Sequence, residues 1–360
     1  MALRSEIKFS KNFKKIFILS GSNIIKKKAT KKFLSKKFKD KNLRIFKKTF
    51  FLPEINELKK IVSEIKLFKP DLIVAIGGGG VIDYAKIANA TVHIKKLELL
   101  FSHKTKFKKF TKLIVVPTTA GSGAEVTPGA VLYKNKIKYN FKDKELIPNK
   151  FFFCPELIIN TKRELKMSSF FDSLCQSTES LISFKSNKKS QKFSSQSISI
   201  ILKNYKKFLD KNSLEVTKKM QTAANLSGKA IAITSTGAPH AMSYYLSSRF
   251  NMYHGSSVMT YFPIILEFNL NKIKTLNKSK QKKINFRISL LKKIFKVKNN
   301  SDIIENIKQI IRYSKFRNNL KKKSINLSDQ KKSIKMDRLR NNPIPITYKD
   351  ILDFNKKVFL

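Results

Sequence analysis

Two runs in the first half of the chain constrain its fold more than any other feature. Residues 72–80, LIVAIGGGG, and 113–123, LIVVPTTAGSG, each set a continuous apolar run against glycines. Such a run, with no polar alternation, is the pattern of a parallel strand covered on both faces. After the first, VIDYAKIANA has helical character. Strand, glycine turn and helix together expose backbone N–H groups and the positive end of a helix to a phosphate. Glycine suits the turn because a side chain would block close approach and restrict φ. Neither run is a G-x-G-x-x-G fingerprint or a P-loop, and a single glycine run is equally compatible with a plain turn. Two in succession place both loops at the carboxyl edge of one sheet, where α/β proteins bind ligands.

The flanking segments extend this pattern. KIFILS at 15–20 predicts a first buried strand ending at Gly21, KKATKKFLSKKFKD a helix, and LRIF a second strand. Ile55, Leu58, Val62 and Ile65 recur at helical spacing, with Pro53 and Glu54 suited to the first turn. Strands and helices alternate up to about residue 160, which predicts an open α/β sheet. Beyond it, RELKMSSFFDSLCQSTESLISF, SQSISIILKNYKKFLDK, SLEVTKKMQTAANLSGKAIAI and SDIIENIKQIIRYSKF all carry helical patterns. The expected organisation is therefore an α/β domain over 1–160 and an all-helical domain over 161–360. The Lys/Asn-rich stretches 272–300 and 315–335 are expected as exposed helices or loops.

Composition removes several classes of protein. A hydrophobic content of 41% over 360 residues supports sizeable cores. No apolar run approaches the roughly 18 residues that span a bilayer. Basic residues precede the first apolar run, but no cleavage site follows it, so a buried strand is expected and not a signal peptide. Two cysteines, Cys154 and Cys175, make no disulfide framework, and a reducing cytoplasm is the expected compartment. The net charge of +52 suits nucleic acid or an anionic membrane. The lysines, however, are spread along the chain without a zinc-finger or RNP-like motif, which favours biased codon usage as their source. A general positive field would still speed the arrival of an anionic substrate.

The chain has four histidines, and two of them, His240 and His254, fall in GAPHAMSYYLSSRFNMYHG at 237–255. Upstream, FDSLCQSTE places Asp172 and Gln176 four residues apart, on one helix face. Two oxygen donors on one helix and two imidazoles from later segments could converge on one metal ion. A lone histidine beside a small-residue turn is more often structural, and Asp172 alone could be a cap or a solvated acid. His93 and His103 have no such context and are expected in loops or at the surface. Cys175 is expected as a packed residue, since nothing marks a lowered pKa.

Taken together, AIGGGGVIDYAK at 75–86, PTTAGSGAEVT at 117–127, FFDSLCQSTES at 170–180, PHAMSYYLSSRFNMYHG at 239–255 and DRLRNNPIPIT at 337–347 resemble the iron-containing (group III) alcohol dehydrogenase family. The family is related to dehydroquinate synthase and glycerol dehydrogenase, and the resemblance spans nearly the whole chain. It implies a dinucleotide-binding α/β domain, a helical domain that holds metal and substrate, and a nicotinamide nucleotide in the cleft between them. Gly77, Gly78, Gly79 and Asp83 match the pyrophosphate-binding turn. Thr118, Thr119 and Ser122 match the second loop beside the cofactor, and Lys138 falls near a cofactor-contacting lysine. Asp172, His240 and His254 match three of four metal ligands, and Gln176 stands where the family has its first metal-binding histidine. Gly80, Ala124 and Cys154 also depart from the family pattern.

The resemblance implies NAD or NADP as cofactor, with a divalent metal: iron first, zinc or manganese as alternatives. Carbonyl donors suit harder ions, so Gln176 would weaken iron or zinc relative to magnesium or manganese, or would instead hydrogen-bond the substrate. The basic RIFKKTFF leans towards tolerance of a 2′-phosphate. The wording APHAMSY, with the glutamine, resembles the branch that reduces phosphonoacetaldehyde to 2-hydroxyethylphosphonate, with Arg249 and Lys229 as candidate phosphonate contacts. The expected partner is a small anionic aldehyde or its alcohol, without specific nucleic acid or membrane, and a homodimer is allowed for. No side-chain acid is identifiable. Another small alcohol as substrate, a metal-free nucleotide-binding homologue without catalysis, and a charge-driven nucleic-acid or membrane-surface binder are the alternatives.

Overall fold

The computed structural model describes residues 13–102, 105–321 and 323–360. His103 and the first twelve residues, where a leader was considered, lie outside the described residues. The described residues form two compact units, one within residues 13–119 with 123–161 and one within residues 120–122 with 162–360.

The first unit opens with β1 (Lys15–Gly21), α1 (Ser22–Lys26), α2 (Lys28–Lys37) and β2 (Asn42–Lys48). It continues with α3 (Ile55–Phe68), β3 (Leu72–Gly77), α4 (Gly79–Thr91) and β4 (Lys112–Pro117), and closes with β5 (Gly129–Lys134), β6 (Ile137–Lys142) and β7 (Lys150–Phe151). Five of these strands form a parallel sheet in the order β2-β1-β3-β4-β7. The order in which successive strands are added reverses between β1 and β3, the switch point at which doubly wound sheets open a crevice. β3 is buried along its whole length, as its unbroken apolar run requires. β2 forms an edge, where Arg44, Lys47 and Lys48 discourage pairing with another chain. Beneath the sheet, Leu58, Ile61, Val62 and Ile65 of α3 are at most 2% exposed, each contributing about 1.5–3 kcal/mol of burial.

Two local expectations change. Pro53 lies before the helix, with Glu54 as its N-cap, because the Pro53 carbonyl accepts from Tyr133 N–H and the Glu54 N–H donates to the Tyr84 hydroxyl. The β5–β6 hairpin was not anticipated. Its two-residue turn, Asn135-Lys136, has both residues at positive φ (52° and 62°), a type I′ geometry that glycine usually signals at the second position.

The second unit is helical among its described residues: α5 (Arg163–Ile182), α6 (Lys188–Asp210), α7 (Leu214–Thr234), α8 (Ala238–Arg249), α9 (His254–Asn271), α10 (Lys278–Phe295), α11 (Asn300–Tyr313), α12 (Leu327–Ser333), α13 (Met336–Leu339) and α14 (Tyr348–Phe359). α5 is the central helix, buried from Lys166 to Ile182 and packed by α6, α7, α9 and α10. Its serines are what permit this. Ser173, Ser177 and Ser180 are fully buried, small enough for close helix approach, and satisfied by hydrogen bonds such as Ser177 Oγ to Ser197 Oγ at 2.8 Å. No helix among the described residues is long and apolar enough to cross a membrane.

Candidate metal centre and nucleotide turn

The metal-centre candidates gather around one face of α5. Asp172, Gln176 and Glu179 follow at i, i+4 and i+7, so all three project the same way. His240 sits in the first turn of α8, and His254 is the first residue of α9. One donor atom each from Asp172, His240 and His254 lies within 4.8 Å of the other two. His240 Nε2 is 3.2 Å from Asp172 Oδ1, and His254 Nε2 is 3.9 Å from the same oxygen.

Glycine is what lets His254 arrive there. A Cβ on Gly255 would stand 1.8 Å from the Ser168 carbonyl oxygen and 2.8 Å from Asp172 N. The start of α9 therefore lies against the α5 backbone at the turn that carries Asp172, and only glycine fits.

Glu179 is the site residue that sequence reasoning missed, although its i+7 spacing from Asp172 was available as a signal. It is buried, and its Oε1 lies 2.6 Å from His240 Nδ1 while Oε2 accepts the Gly237 N–H at 2.5 Å. One carboxylate thus fixes both the start of α8 and the orientation of the imidazole. With the proton on Nδ1 shared with Glu179, Nε2 faces Asp172 with a lone pair available to a metal. Burial acts to lower the His240 pKa, but the charges and hydrogen bonds of Glu179 and Asp172 outweigh it, and the net shift is upward.

Gln176 is arranged differently from the three. Its Nε2 donates to Asp172 Oδ1 at 3.0 Å, and its Oε1 accepts from the buried Ser227 hydroxyl at 2.7 Å. Turning the amide over would set its oxygen against the Asp172 carboxylate. In this arrangement Gln176 turns its nitrogen towards Asp172, while Asp172, His240 and His254 offer one carboxylate and two imidazoles, a combination that suits iron, zinc or manganese. Cys175 is buried, with its thiol pKa pushed well up by burial, as expected of a packing residue. His93 is exposed and faces the Lys106 carbonyl.

In the first unit the glycine turn joins β3 to the start of α4. A Cβ on Gly77 would come within 2.5 Å of Val81, so the strand–helix junction closes tightly only with glycine there. Gly78 packs on Thr119, Thr118 N–H donates to the Gly77 carbonyl at 2.9 Å, and Gly78 and Gly79 are partly exposed. The structure thus brings Gly77, Gly78, Gly79, Thr118 and Thr119 together at the carboxyl ends of β3 and β4. Ser122 belongs with Ala120 and Gly121 to the helical unit, where Ser173 Oγ donates to the Ala120 carbonyl.

Asp83 and Lys138 both belong to the first unit. Asp83 Oδ2 accepts from Val131 N–H at 3.2 Å, tying α4 to β5. Burial raises its pKa to about 6, against the lowering charges of Lys86 and Lys138. Lys138 is itself buried. Lys86, 1% exposed, donates to the Thr127 and Gly129 carbonyls at 2.9 and 2.8 Å and so holds the end of the second glycine loop. Burial pushes its pKa down to about 8, although Asp83 and Glu125 act to raise it. A base whose folded pKa is depressed destabilises the fold when protonated, so stability rises with pH above about 8. Lys86→Met leaves two carbonyls without their donor and Asp83 with less compensation. The expected cost is about 3 kcal/mol, read as a lowered urea midpoint, and an unchanged midpoint would contradict this role.

Arg249 ends α8 and is paired with Asp329, while Lys229 lies over the Phe193 ring. Neither is turned to an anion beside the histidines.

Residues 2–155 match the sequence model of iron-containing alcohol dehydrogenase, and residues 166–359 match that of the C-terminal part of the Fe-containing alcohol dehydrogenase family. The chain belongs to the iron-containing alcohol dehydrogenase family. It is 30% identical over 285 residues to the 4-hydroxybutyrate dehydrogenase of Clostridium kluyveri, covering 75% of this chain and 76% of that protein. It is 28% identical over 220 residues to the phosphonoacetaldehyde reductase of Streptomyces viridochromogenes, covering 58% of this chain and 56% of that protein. Against the longer aldehyde-alcohol dehydrogenases it matches, the chain spans only 26–27% of their length. The fold is shared with a sulfoacetaldehyde reductase from Bifidobacterium kashiwanohense solved in complex with NAD+, at a TM-score of 0.83 and 20% identity, over 96% of this chain and 90% of that one.

Proposed function

We propose that this chain is a metal-dependent NAD(P)H-linked reductase of a short anionic aldehyde, foremost phosphonoacetaldehyde, which it converts to 2-hydroxyethylphosphonate. The observation that carries the reading is the Asp172, His240 and His254 cluster, with His240 oriented by Glu179. Two relatives act, by name, on a 4-hydroxybutyrate and a phosphonoacetaldehyde, both short and anionic. Organisation into an α/β nucleotide domain over 1–160 and a metal- and substrate-binding helical domain over 161–360 belongs to the same proposal.

A divalent ion bound by the cluster supplies Lewis acidity to a carbonyl oxygen, and a reduced nicotinamide supplies the hydride. The chain's own residues do the rest. Asp172 brings the one negative charge of the donor set, and Gln176 and the backbone around Gly255 hold it in place. Glu179 keeps the Nδ1 proton of His240, so that Nε2 faces inward as a donor. The Gly77–Gly79 turn offers N–H groups at the N-terminus of α4 to the pyrophosphate, with Thr118 and Thr119 beside it. Ser122 and Lys138 belong to the same proposal as further nucleotide contacts, and Asp83 supports the turn by tying α4 to β5.

The test is NAD(P)H oxidation by phosphonoacetaldehyde after loading with iron, zinc or manganese. Turnover that chelation abolishes is expected. No turnover of any short anionic aldehyde under those conditions sinks the reading, and nucleotide binding without metal uptake supports the metal-free alternative.

We also propose that NADPH is accepted. β2 ends at Lys47 and Lys48, and Lys48 is in register with Gly21 at the carboxyl edge of the sheet. The Lys48 Cε lies 3.5 Å from where a Cβ on Gly80 would stand, and its ammonium donates to the Phe50 and Phe51 carbonyls, which leaves the exposed Lys47 as the free cation of this strand end among the described residues. An acid at such a strand end selects NADH through the ribose 2′-hydroxyl, whereas a cation accommodates a 2′-phosphate. Lys47→Asp is expected to weaken NADPH about tenfold, with a much smaller effect on NADH. Equal changes in a fluorescence titration would remove the argument.

A further inference from the structure

Arg338 lies in the single turn α13, within the closing segment DRLRNNP. Its Nη1 donates to Thr236 Oγ1 at 2.6 Å, while its Nε is buried with no hydrogen-bond partner. It makes no ion pair among the described residues. A guanidinium carries five N–H donors, and leaving one buried and unpaired costs free energy unless something arrives to accept from it.

The surroundings are built with care around this side chain. Thr236 is buried, and its hydroxyl also meets the Tyr244 phenol. The Tyr244 ring stacks on His254, with centroids 6.1 Å apart and planes 22° from parallel. The segment leading to Thr236 is held in an unusual backbone conformation. Ser235 has φ 63°, in a region that non-glycine residues rarely adopt, at a cost of about 1–3 kcal/mol. Asn341, from the same closing segment as Arg338, clamps it by donating to the Thr234 and Thr236 carbonyls at 2.8 and 2.9 Å. Arg338 and Asn341 thus act together: one fixes the strained turn, and the other places a cation on the hydroxyl that the turn presents.

We propose that Arg338, with the Thr236 hydroxyl, receives the oxyanion terminus of the substrate, one tyrosine ring away from His254. The inference rests on the reading that the histidine cluster takes the aldehyde end. An oxyanion accepts from both the guanidinium and the hydroxyl, pairs the buried Nε, and neutralises a cation that makes no ion pair among the described residues. Phosphonate, sulfonate and carboxylate share this chemistry, so the anion and the chain length to it are read by comparison.

Titration calorimetry of the metal-loaded full chain with 2-hydroxyethylphosphonate, isethionate and 4-hydroxybutyrate provides a direct test, with NADPH binding followed in parallel. Wild type is expected to bind at least one of the three. Arg338→Met is expected to weaken that binding about 100-fold and Arg338→Lys about tenfold, because lysine keeps the charge but not the fork. In kinetics, the ratio of kcat/KM for phosphonoacetaldehyde over propanal falls by a similar factor, mainly through KM. If Arg338→Met does not fold, Thr236→Val reads the same ratio. Anion binding or a ratio unchanged within threefold in these variants overturns the proposal, as does a wild type that binds none of the three anions. Failure to turn over any aldehyde sinks the reductase reading instead, and Arg338-dependent anion binding would survive it.

Discussion

Asp172→Asn is expected to strip the protein of its metal. The substitution preserves shape but removes the only negative charge among the three clustered donors. It also sets an amide where Gln176 Nε2 now donates, so two donors can face each other across the 3.0 Å contact. Loss of an outer partner alone costs about 10–100-fold in metal affinity, and a direct ligand costs more. Activity should fall by about a thousandfold, the rate equivalent of the several kcal/mol that a Lewis acid contributes. Glu179→Gln gives the graded comparison. It keeps a hydrogen-bonding group beside His240 but leaves the imidazole tautomer unfixed, so affinity drops by about 10–100-fold. Metal analysis after dialysis reads both variants. Full retention of iron, zinc or manganese by Asp172→Asn would mean that the cluster is not the metal centre.

Gly255→Ala is the second large effect, and it acts through the backbone. The added methyl would meet the Ser168 carbonyl oxygen at 1.8 Å, and no rotamer can relieve a contact between Cβ and main chain. α9 must therefore shift away from α5, which carries His254 away from Asp172. The expected destabilisation is about 3 kcal/mol, the upper end of ordinary overpacking, together with loss of metal. Calorimetric unfolding and metal content are the measurements. A variant with wild-type stability and metal content would show that α9 approaches α5 less closely than described. Arg338→Met should behave in the opposite way, keeping metal while losing anion, so the two substitutions separate the ends of the proposed substrate.

The two strand–glycine runs were legible because their information is local. An unbroken apolar run before glycines says that a strand is buried and that a backbone turn must be approached closely, and β3 and Gly77 show both. The long helices of the second unit were legible for the same reason. The β5–β6 hairpin was not, since its type I′ turn uses Lys136 where glycine is the usual signal. Asp83 reads in sequence as part of the glycine turn, yet its carboxylate serves β5, because one helical turn points it away from the N-terminus of α4.

The amino-acid sequence by itself determined the fold class, the glycine turn, and that Asp172, His240 and His254 belong to one constellation. These follow from periodicity and from motifs whose order along the chain carries the information. Only the tertiary structure decided that Glu179 orients His240, that Gln176 spends its amide on Asp172 and Ser227, and that Arg338 stands beside Thr236 with no ion pair among the described residues. Each depends on where a side chain's remaining donors and acceptors find partners. That is a property of residues as far as 102 positions apart, as Arg338 and Thr236 are, brought together by packing and not by spacing.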